Sequence, residues 1–286
     1  MTDAAGTKRP GKPALHRWIR RGFIVWAVVS TIWLANSYRT RGVPAEQLRN
    51  SPVVAVVQDS ATLVLSPTAA AEKSALIFIC GSGVAAEAYV PMLHPIAEAG
   101  HAVYIVKLPL RFAPLTSHKE EAVRRARAVV AAHPEVAHWI VSGHSLGGAL
   151  ACRVAQSDPQ FFAGLVLVGT THPKQVDMSA LPMPVTKVYA SNDGVAPPDR
   201  MFANRRLLPQ ATRWIEIKGG NHSQFGHYGH QLFDGEATVS REEQQKATRS
   251  ALLAALGGHV TNPPPPSRGS GESRAAGWRG GSGAGE

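Results

Sequence analysis

The sequence predicts an α/β fold with a mostly parallel central sheet, helices on both faces and an N-terminal antiparallel hairpin. Three observations predict it. Short continuous apolar runs recur along the chain, they alternate with longer helix-type segments, and the first two β-branched runs are separated by only four residues. Apolar strands alternating with helices imply parallel strands buried on both faces, whereas a short turn forces two strands to run antiparallel.

The elements follow in order. Residues 53–57 (VVAVV) and 62–65 (TLVL), joined by Gln58-Asp59-Ser60-Ala61, form the hairpin. Strands are expected at 75–80 (ALIFIC) and 102–106 (AVYIV), with a helix over 85–99 between them. Helix-forming Glu, Arg and Ala fill 117–132 and lead into a strand at 138–142 (HWIVS), a helix from 145 to about 156 and a strand at 164–168 (GLVLV). A strand at 185–190 (VTKVYA), a helix near 199–208, a strand at 212–217 (TRWIEI) and a last helix near 240–256 complete the series. We therefore expect one folded domain over 53–256, preceded by a linker at 39–52. From residue 257 the chain turns to Gly, Ser, Arg and four consecutive prolines at 263–266, a composition that buries too little apolar surface to fold.

The N-terminal part differs in character. Residues 22–38 (GFIVWAVVSTIWLANSY) carry no charge and lie between Arg17, Arg20 and Arg21 on one side and Arg39 and Arg41 on the other. Seventeen residues is the short limit for crossing a bilayer core of about 30 Å. The segment is expected to be a membrane-spanning signal anchor, with residues 1–21 as a basic cytoplasmic tail and the domain held outside the cytoplasm at the cell membrane. Ala35-Asn36-Ser37 loosely matches a small-x-small cleavage site, so a secreted form is the alternative.

Charge partitions unevenly. Up to residue 41 eight Lys and Arg stand against Asp3, a net +7, and the remaining 22 basic and 19 acidic residues leave only +3. The excess thus sits off the domain, which argues against a nucleic-acid-binding face. Two cysteines, Cys80 and Cys152, give neither a disulfide framework nor a metal-ligand spacing, and both lie in apolar stretches as buried thiols. Neither a metal nor an organic cofactor is expected, and the oligomeric state is not legible.

The chemistry concentrates at Gly143-His144-Ser145-Leu146-Gly147. By itself Gly-x-Ser-x-Gly is weak, since about 0.2 such matches arise by chance in a chain of this glycine content. Its setting between a strand and a helix is what a nucleophile elbow requires, with glycines allowing a strained turn and close backbone approach. A serine hydroxyl needs a general base, and that base an orienting acid. Asp193 follows the strand at 185–190 and His222 the strand at 212–217, giving the chain order Ser, Asp, His at strand ends. Asp199 is a rival acid that more naturally caps the helix it begins, and His227 and His230 are rival histidines without metal-site spacing. His144 is read as a pocket or packing residue. An oxyanion hole would take one amide from Leu146 and another from the loop Cys80-Gly81-Ser82-Gly83-Val84, supplied by Ser82 or Gly83.

Together these residues resemble the α/β-hydrolase superfamily over roughly 53–256. The runs Gly81-Ser82-Gly83 with Glu87-Ala88-Tyr89, Val106-Lys107-Leu108-Pro109, GHSLGG and Gly219-Gly220-Asn221-His222 are similar to the small, lidless bacterial hydrolases near the dienelactone hydrolases. That group carries cysteine at the elbow, where this chain has Ser145. About sixteen residues separate the strands between which lidded members insert a cap, so the resemblance implies no large lid and an open site. It also implies hydrolysis of a small-molecule ester or related acyl substrate through an acyl-enzyme. Acyl transfer or perhydrolysis at the same site, and a tethered binding protein without catalysis, are the alternatives.

Overall fold

The structure, a computed structural model, describes residues 13–258. The sheet has eight strands: β1 (Val54–Gln58), β2 (Thr62–Pro67), β3 (Ser74–Ile79), β4 (Val103–Val106), β5 (His138–His144), β6 (Phe162–Val168), β7 (Val185–Ala190) and β8 (Arg213–Ile217). Their spatial order is β1-β2-β4-β3-β5-β6-β7-β8. The hairpin β1-β2 is antiparallel and β2 joins β4 antiparallel, with Leu63 opposite Ile105; every pairing from β4 to β8 is parallel. All six residues of β3 and all four of β4 are buried, as parallel strands covered on both faces must be.

The helices are α1 (Pro13–Ser37), α2 (Val90–Glu98), α3 (Thr116–Ala132), α4 (Leu146–Ser157), α5 (Pro198–Ala203) and α6 (Arg241–Gly257). From β3 the chain crosses one way to β4 and then back past β3 to β5. Right-handed crossovers then put α2 on one face and α3 and α4 on the other. Contacts agree: α2 packs on α6, and α3 on α4. The switch in direction at β3 and β5 opens the C-terminal edge of the sheet beside their ends, where an open α/β sheet binds its ligands. Sixteen residues link β6 to β7, so no cap domain is inserted between these two strands.

Boundaries moved where local chemistry competed with periodicity. The helix expected over 85–99 begins as a 3-10 turn, Ala86–Tyr89, and becomes α-helical only at Val90, because Pro91 fits the first turn of an α-helix. The one expected near 199–208 stops at Ala203 and continues as a 3-10 turn, Arg205–Leu207. β6 starts two residues earlier than its apolar run suggests, since Phe162 pairs with Trp139. The tail at 259–286 and residues 1–12 lie outside the described residues.

The expectation of a membrane-spanning anchor needs correction. The segment is helical, but the first part of α1 carries Arg17, Arg20 and Arg21, and its charge-free part, 22–37, rises only about 24 Å at 1.5 Å per residue. Among the described residues no helix is long and apolar enough to cross a membrane.

One buried charge lies within the sheet. Lys187 on β7 is 1% exposed, donates to the His172 carbonyl and lies 5.9 Å from the Trp214 ring. Burial pulls its ammonium down to about 8. The folded state therefore releases this proton before the unfolded chain does, and stability gained from it appears as pH rises from about 8 toward 10.5. Lys187→Met is expected to flatten the rise over that window, measured by urea unfolding at stepped pH.

Candidate active site

The backbone at Ser145 is held in a conformation that an L-residue rarely adopts, φ 55° and ψ −118°. Such strain costs on the order of 1–3 kcal/mol and persists only where its surroundings enforce it. Here β5 turns directly into α4 against the end of β3. A Cβ at Gly147 would lie 2.0 Å from the Ile79 carbonyl oxygen, and one at Gly143 would lie 2.3 Å from the Gly147 carbonyl. Both obstacles are backbone, so neither can move aside. Ser145 N donates to the Val168 carbonyl at 3.0 Å, which ties the turn to β6 as well. The serine itself is half-buried at the N-terminus of α4, where unpaired amides and the helix dipole favour negative charge.

Asp193 and His222 meet. They leave the ends of β7 and β8, and His222 Nδ1 lies 2.8 Å from Asp193 Oδ2, with both residues buried. The other carboxylate oxygen accepts the amides of Val195 at 2.9 Å and Ala196 at 2.6 Å. An ionised carboxylate only accepts, so Nδ1 carries the proton and Nε2 offers a lone pair. Among the described residues that Nε2 has no hydrogen-bond partner, Ser145 included. The serine's neighbour touches the pair: the His144 ring packs at a tilt of 42° against His222, with centroids 4.5 Å apart.

The loop after β3 lies against the elbow. Gly83 (φ 79°) gives its amide to the Arg111 carbonyl at 2.9 Å, and Gly81 gives its amide to the Tyr89 hydroxyl at 2.9 Å. Both are thereby occupied. Among the described residues Ser82 N and Leu146 N have no such acceptor, and the Ser82 hydroxyl turns away to the Phe112 carbonyl. The Tyr89 hydroxyl also meets His144 Nδ1 at 2.9 Å, and since it accepts from Gly81 it donates its proton there. Burial, followed by the nearby His222, holds the His144 imidazole well below its ordinary pKa. A cation at His144, beside His222, is thus avoided.

Asp234 and Tyr89 escaped sequence reasoning. Asp234 Oδ1 accepts the amides of His222 at 3.0 Å and Gly194 at 3.2 Å, while Oδ2 accepts Ser223 N at 2.8 Å and Ser223 Oγ at 2.7 Å. One carboxylate so bridges the loops that carry His222 and Asp193. Its only local signal is the turn pair Asp234-Gly235, which is too common to single out. Tyr89 sits in an apolar run, where an aromatic reads as core.

The rivals disperse. Asp199 lies in the first turn of α5 but makes no capping hydrogen bond, contrary to expectation, because Pro197 occupies the cap position. His227 turns to the Arg41 carbonyl and His230 to the Asp234 carbonyl. Among the described residues no group of three His, Cys, Asp or Glu could hold a metal ion. Cys80 and Cys152 are both buried and free, and burial pushes the Cys152 thiol up to about 12. A hollow of about 850 Å³ lined by Arg127, His133, Trp139 and Phe161 lies at the opposite end of β5, away from these groups.

A family model described as "Alpha/beta hydrolase family" matches residues 75–246, which span β3, the elbow, and the Asp193 and His222 loops. The chain belongs to the α/β-hydrolase family. Solved structures of the same fold include a ferulic acid esterase from Streptomyces cinnamoneus, 19% identical with a TM-score of 0.56, covering 72% of this chain and 73% of that one. A monoacylglycerol lipase from Paleococcus ferrophilus is 15% identical with a TM-score of 0.54, covering 69% and 100%. A serine hydrolase described as lacking a lid, from Xanthomonas campestris, is 15% identical with a TM-score of 0.52, covering 72% and 95%. No curated protein matches. This α/β hydrolase likewise has no cap inserted between β6 and β7.

Two substitutions test the polar bracing of this α/β-hydrolase site. Asp234→Ala leaves five donors, the Gly235 amide among them, without their acceptor and should cost about 1–3 kcal/mol, with faster hydrogen exchange at the amides of Gly194, His222 and Ser223. Tyr89→Phe strips partners from Gly81 N and His144 Nδ1 at once. Its thermal midpoint should fall by about 2–4 °C for each kcal/mol lost, read by calorimetry.

Proposed function

We propose that this α/β hydrolase cleaves carboxylic esters through Ser145, His222 and Asp193. The observation that carries the reading is the buried Asp193–His222 pair, whose 2.8 Å contact leaves Nε2 without a hydrogen-bond partner, with the His222 ring 4.5 Å from that of His144, the neighbour of the strained Ser145. His222 Nε2 takes the Ser145 proton as Oγ attacks the ester carbonyl. Asp193 holds the ring in the required tautomer and stabilises the imidazolium that forms. The negative charge on the former carbonyl oxygen is met by the amides of Leu146 and Ser82, each worth on the order of 3 kcal/mol when aligned. Of the two amides expected from the loop after β3, Ser82 is assigned because Gly83 is already bonded to Arg111.

Collapse of the tetrahedral species breaks the C–O bond, and the His222 imidazolium gives its proton to the leaving alcohol. Water enters by the same path in reverse. His222 removes its proton as the water oxygen bonds to the acyl carbon, then returns that proton to Ser145 Oγ as the acyl C–Oγ bond breaks, and the carboxylic acid leaves. The esterase and lipase described among the related folds support ester chemistry. Within the family, the runs GHSLGG and Gly219-Gly220-Asn221-His222 support a likeness to the dienelactone-like group, from which the chain departs by an oxygen nucleophile in place of sulfur.

Ser145→Ala should abolish turnover of p-nitrophenyl esters and covalent labelling by a fluorophosphonate. Labelling as strong as in the parent would remove Ser145 from the reaction. Asp193→Asn should lower kcat by on the order of 10⁴-fold with little change in KM, because it loses the tautomer rather than the binding. Steady-state kinetics across ester chain lengths reads both.

A further inference from the structure

The end of α1 is built into the rim of the site. Ser37 O accepts the Gly229 amide at 2.8 Å, and Arg41 N donates to the His227 carbonyl at 2.9 Å, which fixes this segment to the loop after His222. On the other side Tyr38 O accepts from the Arg111 guanidinium at 2.6 Å, and its ring meets Phe112 at 5.6 Å. Gly83 lies directly beneath: a Cβ there would be 2.5 Å from the Tyr38 ring. The linker is thus wedged between the loop of His222 and the loop of Ser82.

From that wedge α1 leads away with its apolar side chains uncovered. Trp18, Phe23, Ile24, Trp26, Val28 and Trp33 are all exposed, between 42% and 69%. At 100° per residue these positions sweep round nearly the whole helix. The arc left without such a position is narrow, so the helix calls for an apolar surrounding that reaches round most of it, as an acyl boundary does and the single stripe covered by a second copy does not. Cations stand at both ends, Arg17, Arg20 and Arg21 before the charge-free stretch and exposed Arg39 after it, with Arg21 5.7 Å over the Trp18 ring. Aromatic rings and arginines flanking an apolar segment complement the boundary of an anionic bilayer. The rim beside the wedge is apolar too: Leu110 is 73% exposed and Leu115 58%. Leu110, Arg111 and Ala113 are held at φ between 46° and 64°.

We propose that α1 is covered by an anionic lipid surface and that its rigid attachment to the rim sets the mouth of the site against that surface. Resting on the ester-hydrolase reading, this names the substrate class as an acyl ester carried in lipid. α1 need not cross the bilayer to be covered by it, since partition into the headgroup and acyl boundary suffices.

The test is flotation of the full chain with phosphatidylglycerol vesicles and with phosphatidylcholine vesicles, paired with two esters. One ester is a long-chain monoacylglycerol held in the vesicles and the other is soluble p-nitrophenyl butyrate. We expect at least tenfold stronger binding to phosphatidylglycerol at low salt, narrowing as salt screens the arginines. The double variant Phe23→Glu with Trp26→Glu should lose at least tenfold in binding and in turnover of the vesicle-held ester, with butyrate turnover unchanged. A parent chain that does not float, or a variant that floats equally well, overturns the proposal. So does a lipid-free dimer that the double variant dissociates, since a second copy is then the cover. Turnover of neither ester with flotation intact overturns the hydrolase reading and its lipid-borne substrate, and upholds the lipid contact alone.

Discussion

One close backbone approach is the constraint on which the site depends. β5, the first turn of α4 and the end of β3 converge until no atom fits at the Cα of Gly143 or Gly147, the latter space lying 2.0 Å from the Ile79 oxygen. That contact leaves Ser145 no relaxed conformation, so it takes φ 55° at the mouth of a helix. Strain of this kind is stable only because the surrounding sheet is rigid, and β3 is buried along its whole length. The fold stores local cost at one residue and covers it with packing elsewhere.

Polar accounting organises the rest. Three loops leave the ends of β3, β7 and β8, and each must satisfy its own amides without water. Tyr89 does this for the loop of Gly81, Asp193 for Val195 and Ala196, and Asp234 for His222, Ser223 and Gly194. Once those donors are taken, His222 Nε2, His144 Nε2 and the amides of Ser82 and Leu146 have no partner among the described residues. A buried group without a partner is costly in a native structure unless a ligand or substrate completes it. In the proposed mechanism His222 Nε2 and the two amides are the positions that a reacting ester completes.

The wedge formed by Ser37 and Tyr38 adds a geometric link between the apolar helix and the same three loops. Arg111 and Phe112 reach Tyr38 from one side and Gly229 reaches Ser37 from the other, so α1 cannot reorient without disturbing the rim. The absence of a cap between β6 and β7 leaves that rim as the outer boundary of the site.

The sequence by itself determined the strand and helix order, the antiparallel opening hairpin, the short β6–β7 link, and the positions of Ser145, Asp193 and His222 at strand ends. These are local properties: apolar period, turn residues and chain order are written in neighbouring residues. Tertiary structure alone decided which amide of the Gly81-Ser82-Gly83 loop stays free, because the competitor for Gly83 is Arg111, nearly thirty residues away in the chain. It also decided that Tyr89 braces His144 across 55 residues and that Asp234 spans 40 residues to Gly194. Hydrogen-bond pairing between distant loops depends on where the sheet brings their ends, and no local pattern encodes that distance. The same holds for α1: its apolar composition was plain, but its attachment to the rim is a contact between residues 37–41 and 227–229 that only folding creates.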